Sequence, residues 1–139
     1  MLKSNNNSNF LITSTSALLD AIGETINLNN NRFKSVKKEK RPDKVLFVII
    51  TDGLENNSTT YNRKKIFNKI KKMEDKHGWE FIFFGANQDA ISEAQNYGIE
   101  ARRAMTFAAD AVGTEDVYNA ISSNICYCLA NDKEFEFTD

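Results

Sequence analysis

Six consecutive apolar residues, Val45-Leu46-Phe47-Val48-Ile49-Ile50, break off at Thr51-Asp52-Gly53. A run so dense in β-branched and aromatic side chains reads as a strand buried on both faces, and its abrupt polar end puts the Asp52 carboxylate at the strand's carboxyl tip. A second run, Trp79-Glu80-Phe81-Ile82-Phe83-Phe84, stops in the same way at Gly85. Between the two, Ile66, Phe67, Ile70 and Met73 recur at helical spacing among Arg63, Lys64, Lys65, Lys69, Lys71 and Lys72. That is the stripe of a helix covering a sheet. Asn62 stands where its N-cap belongs, and His77-Gly78 where it should stop. Strand, helix and strand in this order imply a right-handed crossover and parallel strands. The carboxyl tips then share one edge, the place where open α/β sheets bind ligands. The expected class is α/β, a Rossmann-like three-layer open parallel sheet flanked by helices.

Upstream, Leu18, Leu19, Ile22 and Ile26 keep a helical spacing, with Asp20, Glu24 and Asn27 largely on the other side. Ser14, Thr15 or Ser16 can cap this helix, and Asn29-Asn30-Asn31 reads as its stop, giving about three turns. Residues 1–13, rich in Asn and Ser, read as a frayed tail. Downstream, residues 90–96 read as a short helix ended by Tyr97-Gly98, with Asp89 as its N-cap or as part of a site. Residues 104–107 read as a weak third strand. Val117, Ile121, Ile125 and Leu129 mark a final helix from Thr114, and residues 131–139 form an acidic tail. The chain thus divides into a tail (1–13), one domain (14–130) and a second tail (131–139).

Composition narrows the picture. The 139 residues suffice for one domain, and 27% charged beside 41% hydrophobic is the balance of a globular protein. A formal net charge of -1 supplies no global field for nucleic acid or an anionic membrane. No apolar run approaches the roughly 18 residues of a membrane helix, and the start lacks a signal-peptide apolar core, so a cytoplasmic protein is expected. Cys126 and Cys128, two apart on a helix, point to different faces and have no companion pair for zinc. Residues 32–43 carry six basic side chains against two acidic ones. Without aromatic interleaving they read as a solvated loop rather than a nucleic-acid contact. His77, the single histidine, suits a helix end better than catalysis.

Three motifs together resemble a von Willebrand factor type A domain of the cytoplasmic microbial kind. They are Thr15-Ser16-Ala17-Leu18-Leu19-Asp20-Ala21-Ile22, then Val48 to Asn56 around Thr51-Asp52-Gly53, then Gly78 to Ala90 around Gly85-Ala86-Asn87-Gln88-Asp89. The resemblance covers residues 15–130. It implies a metal ion-dependent adhesion site binding a magnesium-type cation. Asp52 matches the aspartate of the family's Thr-Asp-Gly, and Ser16, with Thr15 beside it, stands at the family's threonine. Gly53, Glu55, Asn56, Asn87, Gln88 and Asp89 fall on the implied partner surface. The family's Asp-x-Ser-x-Ser loop is absent, and with it the strand expected to carry it. The chain thus reads as a partial domain lacking the first strands, its magnesium site weak because one carboxylate and one hydroxyl are few ligands.

Two expectations follow about partners. The implied function is a protein–protein interaction module that takes an acidic residue of a protein partner at the sheet edge. The edge of strand 45–50, left without its neighbour, is expected to pair with another chain or a second copy. Nucleic acid and membrane are not expected partners. Two alternatives stand beside this reading. One is a degenerate or fragmentary domain without metal. The other is an α/β enzyme using Asp52, against which the chain lacks a Gly-rich phosphate loop and a nucleophile elbow.

Overall fold

Four parallel strands form one sheet in chain order, β1 (Asn9–Thr13), β2 (Leu46–Thr51), β3 (Glu80–Gly85) and β4 (Ala104–Thr106). Helices α1 (Leu18–Lys34), α2 (Arg63–His77) and α3 (Ala90–Asn96) make the three crossovers. The computed structural model describes residues 9–13, 17–42, 44–51, 57–86, 90–107, 115, 119, 122 and 123. Neighbouring strands joined in sequence by right-handed crossovers must carry their helices on one face. The packing agrees. Val45, Phe47, Ile49, Phe81 and Phe83 form one buried cluster with Leu18, Ile22 and Ile26 of α1, Ile66, Ile70 and Met73 of α2, and Ala94 and Tyr97 of α3. Alternation along the strands sends Leu46, Val48, Ile50, Ile82 and Phe84 to the opposite face. These are buried as well, with Phe107 packed on them. Both faces of β2 and β3 are therefore dry, as the continuous apolar runs predict, and each such side chain contributes roughly 1.5–3 kcal/mol by leaving water.

The expected α/β class and parallel open sheet are found, and so is the short strand at 104–106. The edge of β2 is a correction. Asn9–Thr13 pairs with it in parallel, from Asn9 opposite Phe47 to Thr13 opposite Thr51. The edge of strand 45–50 expected to be open is therefore occupied, and residues 9–13 are strand rather than frayed tail. Phe10-Leu11-Ile12 supplies three residues of high strand propensity, and pairing satisfies the backbone groups that β2 would otherwise present. Among the described residues, β1 is the edge strand on that side of the sheet.

The first helix is also longer than expected. The asparagines at 29–31 do not stop it, and it runs on to Lys34. Asn29 is buried and donates its amide to the Thr25 carbonyl at 2.9 Å, while Phe33 reaches the core four residues later. Burial of Phe33 outweighs the weak helix propensity of asparagine. The second helix ends as read. The Asn62 side chain accepts from the Lys65 N–H at 2.8 Å. Gly78 takes the left-handed conformation at φ 66° that costs glycine nothing, and its N–H closes on the Glu74 carbonyl. Of the expected final helix, Glu115, Asn119, Ser122 and Ser123 are helical and exposed; its other positions, the cysteines and the 131–139 tail lie outside the described residues. Among the described residues, no helix is long and apolar enough to cross a membrane.

Candidate functional site at the carboxyl edge of the sheet

The four strands end level with one another. Thr13 is in register with Thr51, Thr51 with Gly85, and Gly85 with Thr106. The ladder continues one step beyond, the Ala86 N–H donating to the Thr51 carbonyl at 3.0 Å and the Phe107 N–H to that of Gly85 at 2.9 Å. Successive strands therefore deliver the chain to a single rim. The residues that follow them in sequence include every one assigned to the site. Thr15, Ser16, Asp52, Gly53, Glu55, Asn56, Asn87, Gln88 and Asp89 themselves lie outside the described residues. Their described neighbours are Ala17 at the start of α1, Thr51 buried at the tip of β2, Asn57, and Ala86 past β3.

One carboxylate at this rim is placed in detail. Asp20, in the first turn of α1, accepts the N–H groups of Thr59 at 2.9 Å, Thr60 at 3.0 Å and Tyr61 at 2.7 Å, and its own N–H donates to the Ser58 hydroxyl at 3.0 Å. Consecutive N–H groups converging on one anion form a small concave nest. They hold the Asp20 pKa below the usual aspartate value, the Thr59 N–H contributing most and the Tyr61 N–H next, against a smaller opposing effect of burial.

The same face of α1 continues with Gly23 and Asn27, three and seven residues on, so one flank of the helix meets one loop. The Tyr61 ring lies flat against Gly23, where a Cβ would stand 2.5 Å from its carbon atoms. Only glycine admits that approach. The Tyr61 hydroxyl accepts from the Asn27 amide at 2.8 Å, and Asn27 in turn accepts from the Lys69 ammonium at 2.6 Å. The stretch from Ser58 to Tyr61 is thus fastened to α1 at four points. With Thr51 fixed in the sheet and Ser58 fixed to the helix, the chain carrying Asp52 starts and finishes at rigid anchors.

Chemically, the described part of the rim offers hydroxyls, backbone amides and one carboxylate already committed to the loop. Among the described residues no group of three or more His, Cys, Asp or Glu could hold a metal ion.

Asp20, Gly23 and Tyr61 were not singled out from sequence. Asp20 falls on the polar side of its helix and reads as solvent-facing, but at the end of a sheet that side faces a loop. The spacing of Asp20, Gly23 and Asn27 on one flank is the only signal, and it does not say which loop they hold.

Comparison of the chain with protein-family models, with curated proteins and with solved structures finds no match. The resemblance to von Willebrand A domains therefore rests on the three sequence motifs alone; the sheet shows a parallel α/β fold.

Proposed function

We propose that this chain is a binding module rather than an enzyme, with a von Willebrand A-like surface at the carboxyl rim that takes an acidic group of a protein partner. In this reading Asp52, Ser16 and Thr15 are the protein ligands of a magnesium-type cation. Gly53, Glu55, Asn56, Asn87, Gln88 and Asp89 frame the partner's approach. The partner's carboxylate would complete the coordination that one aspartate leaves unfilled.

The observation that supports it is the level register of Thr13, Thr51 and Gly85, because the segments holding the ligands follow the first two of these strand tips and the segment holding Asn87, Gln88 and Asp89 follows the third. The Asp20 clamp supports it further. A loop whose far end is fastened to α1 loses less freedom when it orders around a ligand, which is the usual benefit of preorganisation.

Magnesium supplies the test. A site with a dissociation constant of about 1 mM should add about 1.4 kcal/mol at about 10 mM magnesium, a rise of a few degrees in melting temperature for a domain of this size. The rise should vanish in Asp52→Ala and persist in Glu55→Ala. If wild type and Asp52→Ala melt alike at every magnesium concentration, the cation-bridged reading is wrong and the metal-free alternative takes its place.

A further inference from the structure

Basic and acidic residues are separated along this chain far more than its net charge of -1 suggests. Residues 32–77 hold fourteen lysines and arginines against six carboxylates, and residues 78–139 hold three against eleven. Within the basic half, Lys65, Lys69, Lys72 and Lys76 follow one another at helical intervals of four, three and four. They form one row along about 16 Å of α2. The row lies on the flank turned toward α1, since the Lys69 ammonium reaches Asn27 and sits 5.8 Å from the Tyr61 ring. Among the described residues no carboxylate lies within ion-pair distance of any of the four, although Lys71, one position off the row, pairs with Glu74. Like charges at this spacing repel and destabilise a helix. The Lys69 pKa is lowered, by burial first and by Lys72 second.

At the amino edge of the sheet, where α1 and α2 end, lies a pocket of about 130 Å³. Its lining includes the buried side chains of Phe33, Trp79 and Val45, the exposed Lys34 and Arg41, and the half-buried Asn30. The two rings meet edge to face at 5.9 Å, and the Arg32 guanidinium stands 5.5 Å above Phe33. Arg41 is held in place by donating to the Val36 and Lys34 carbonyls. An apolar cavity of about 150 Å³ takes one benzene ring, so this pocket is the size of a single six-membered ring. Part of the positive charge complements two helix C-termini, but these amount to only about half a charge each. Lys34 and Arg41 line the pocket itself, and Lys76 lies on the row that leads to it.

We propose that the flank of α2 and the pocket below it bind single-stranded nucleic acid, the lysine row taking phosphates and the pocket one pyrimidine ring. A cationic track combined with aromatic side chains is how single strands are held without strict sequence readout. Lysine, a point charge on a flexible stem, can follow the phosphates of a mobile strand without a fixed bidentate geometry. Asn30 carries both a donor and an acceptor for a base edge. The row starts beside the clamped loop, where the Lys65 ammonium donates to the Thr60 carbonyl at 3.3 Å, and leads away from the carboxyl rim to the pocket at the other end of the sheet; it includes none of the proposed cation ligands.

Fluorescence anisotropy with short labelled oligothymidylate and oligouridylate tests this on the intact chain. Binding should weaken with salt at a slope of about -2 to -3 in log affinity against log salt, as three or four phosphate contacts to a single strand require. Lys72→Glu with Lys76→Glu, both exposed positions, should lower affinity about tenfold or more and flatten the slope. Lys64→Glu, off the row, should change little. Asn30→Leu, which fills the pocket, should lower affinity about fivefold or more without moving the salt slope. Circular dichroism melts of each variant separate lost binding from lost folding, and Lys72→Gln with Lys76→Gln replaces any charge reversal that fails to fold. The proposal is overturned by absent binding at about 50 mM salt, by equal affinity for a duplex of the same length, or by equal affinity for a polyglutamate peptide. The last result would make the face a dock for acidic protein.

Discussion

The two edges of the sheet are built from different materials. At the carboxyl edge the contacts are between backbone and small or polar side chains, with Asp20 gathering three N–H groups, Gly23 yielding its place to a ring, and threonines standing at the strand tips. At the amino edge large side chains close the core. Trp79 stacks on Phe47 at 6.5 Å and meets Phe33 edge-on, and Glu80, 6% exposed, pairs with Lys44 at 3.3 Å. Among the described residues, the amino edge thus closes with large buried side chains, whereas the carboxyl edge fastens a loop mainly through hydrogen bonds. Open α/β sheets put their ligands at the second kind of edge, where geometry can vary without removing core.

The largest expected effect tests this contrast at the amino edge. Trp79→Ala removes a 5% exposed indole from contact with Phe33, Phe47 and Phe81. The substitution should cost about 3–5 kcal/mol in denaturant unfolding. At the carboxyl edge, Gly23→Ala gains about 1 kcal/mol of helix propensity but drives a methyl into the Tyr61 ring, an overpacking worth about 1–3 kcal/mol. A net loss near 1 kcal/mol is expected, together with faster amide exchange at Thr59, Thr60 and Tyr61. Should Gly23→Ala prove as costly as Trp79→Ala, the division of labour between the edges is wrong.

The same contrast explains what could be read from the chain. β2, β3 and α2 were legible because each carries its own pattern over five or more positions and a cap in the expected place. β1 was not, since Phe10-Leu11-Ile12 is too short to stand out from an Asn- and Ser-rich surround, and only its partner β2 makes it a strand. The end of α1 was misplaced for a related reason. Three asparagines read as a stop locally, and the side chain that overrides them, Phe33, earns its place by packing on Trp79. The basic stretch at 32–43 holds a single aromatic, Phe33, and only the fold brings Trp79, far along the chain, to lie beside it. For the proposed cation site, the residues are named from sequence motifs and strand register brings the strands that precede them to a common rim, whereas the Asp20 clamp depends on a loop some forty residues away.

Acid titration gives the smallest effect and the sharpest comparison, because Asp20 near one edge and Glu74 near the other are shifted in opposite directions. Asp20 has a folded pKa below the usual 3.8, set first by the Thr59 N–H. Its contribution is therefore fully present above 3.8 and is lost as pH falls through the lower folded value. Glu74, near the C-terminal end of α2, has a pKa raised above the usual 4.5 by burial, with Lys71 only partly opposing it. Its ionised form disfavours the folded state at neutral pH, and that cost disappears as pH falls through the raised value toward 4.5. Denaturant midpoints across this range should show two opposed slopes, a gain on entering mild acid and a loss below 3.8. Glu74→Gln should abolish the first and leave the second. Asp20→Asn should shrink the second and leave the first, and it should also speed amide exchange across the loop from Ser58 to Tyr61 at neutral pH. A pH profile unchanged by Asp20→Asn would mean that the loop is held by Tyr61 packing on Gly23, and that the carboxylate merely occupies the nest.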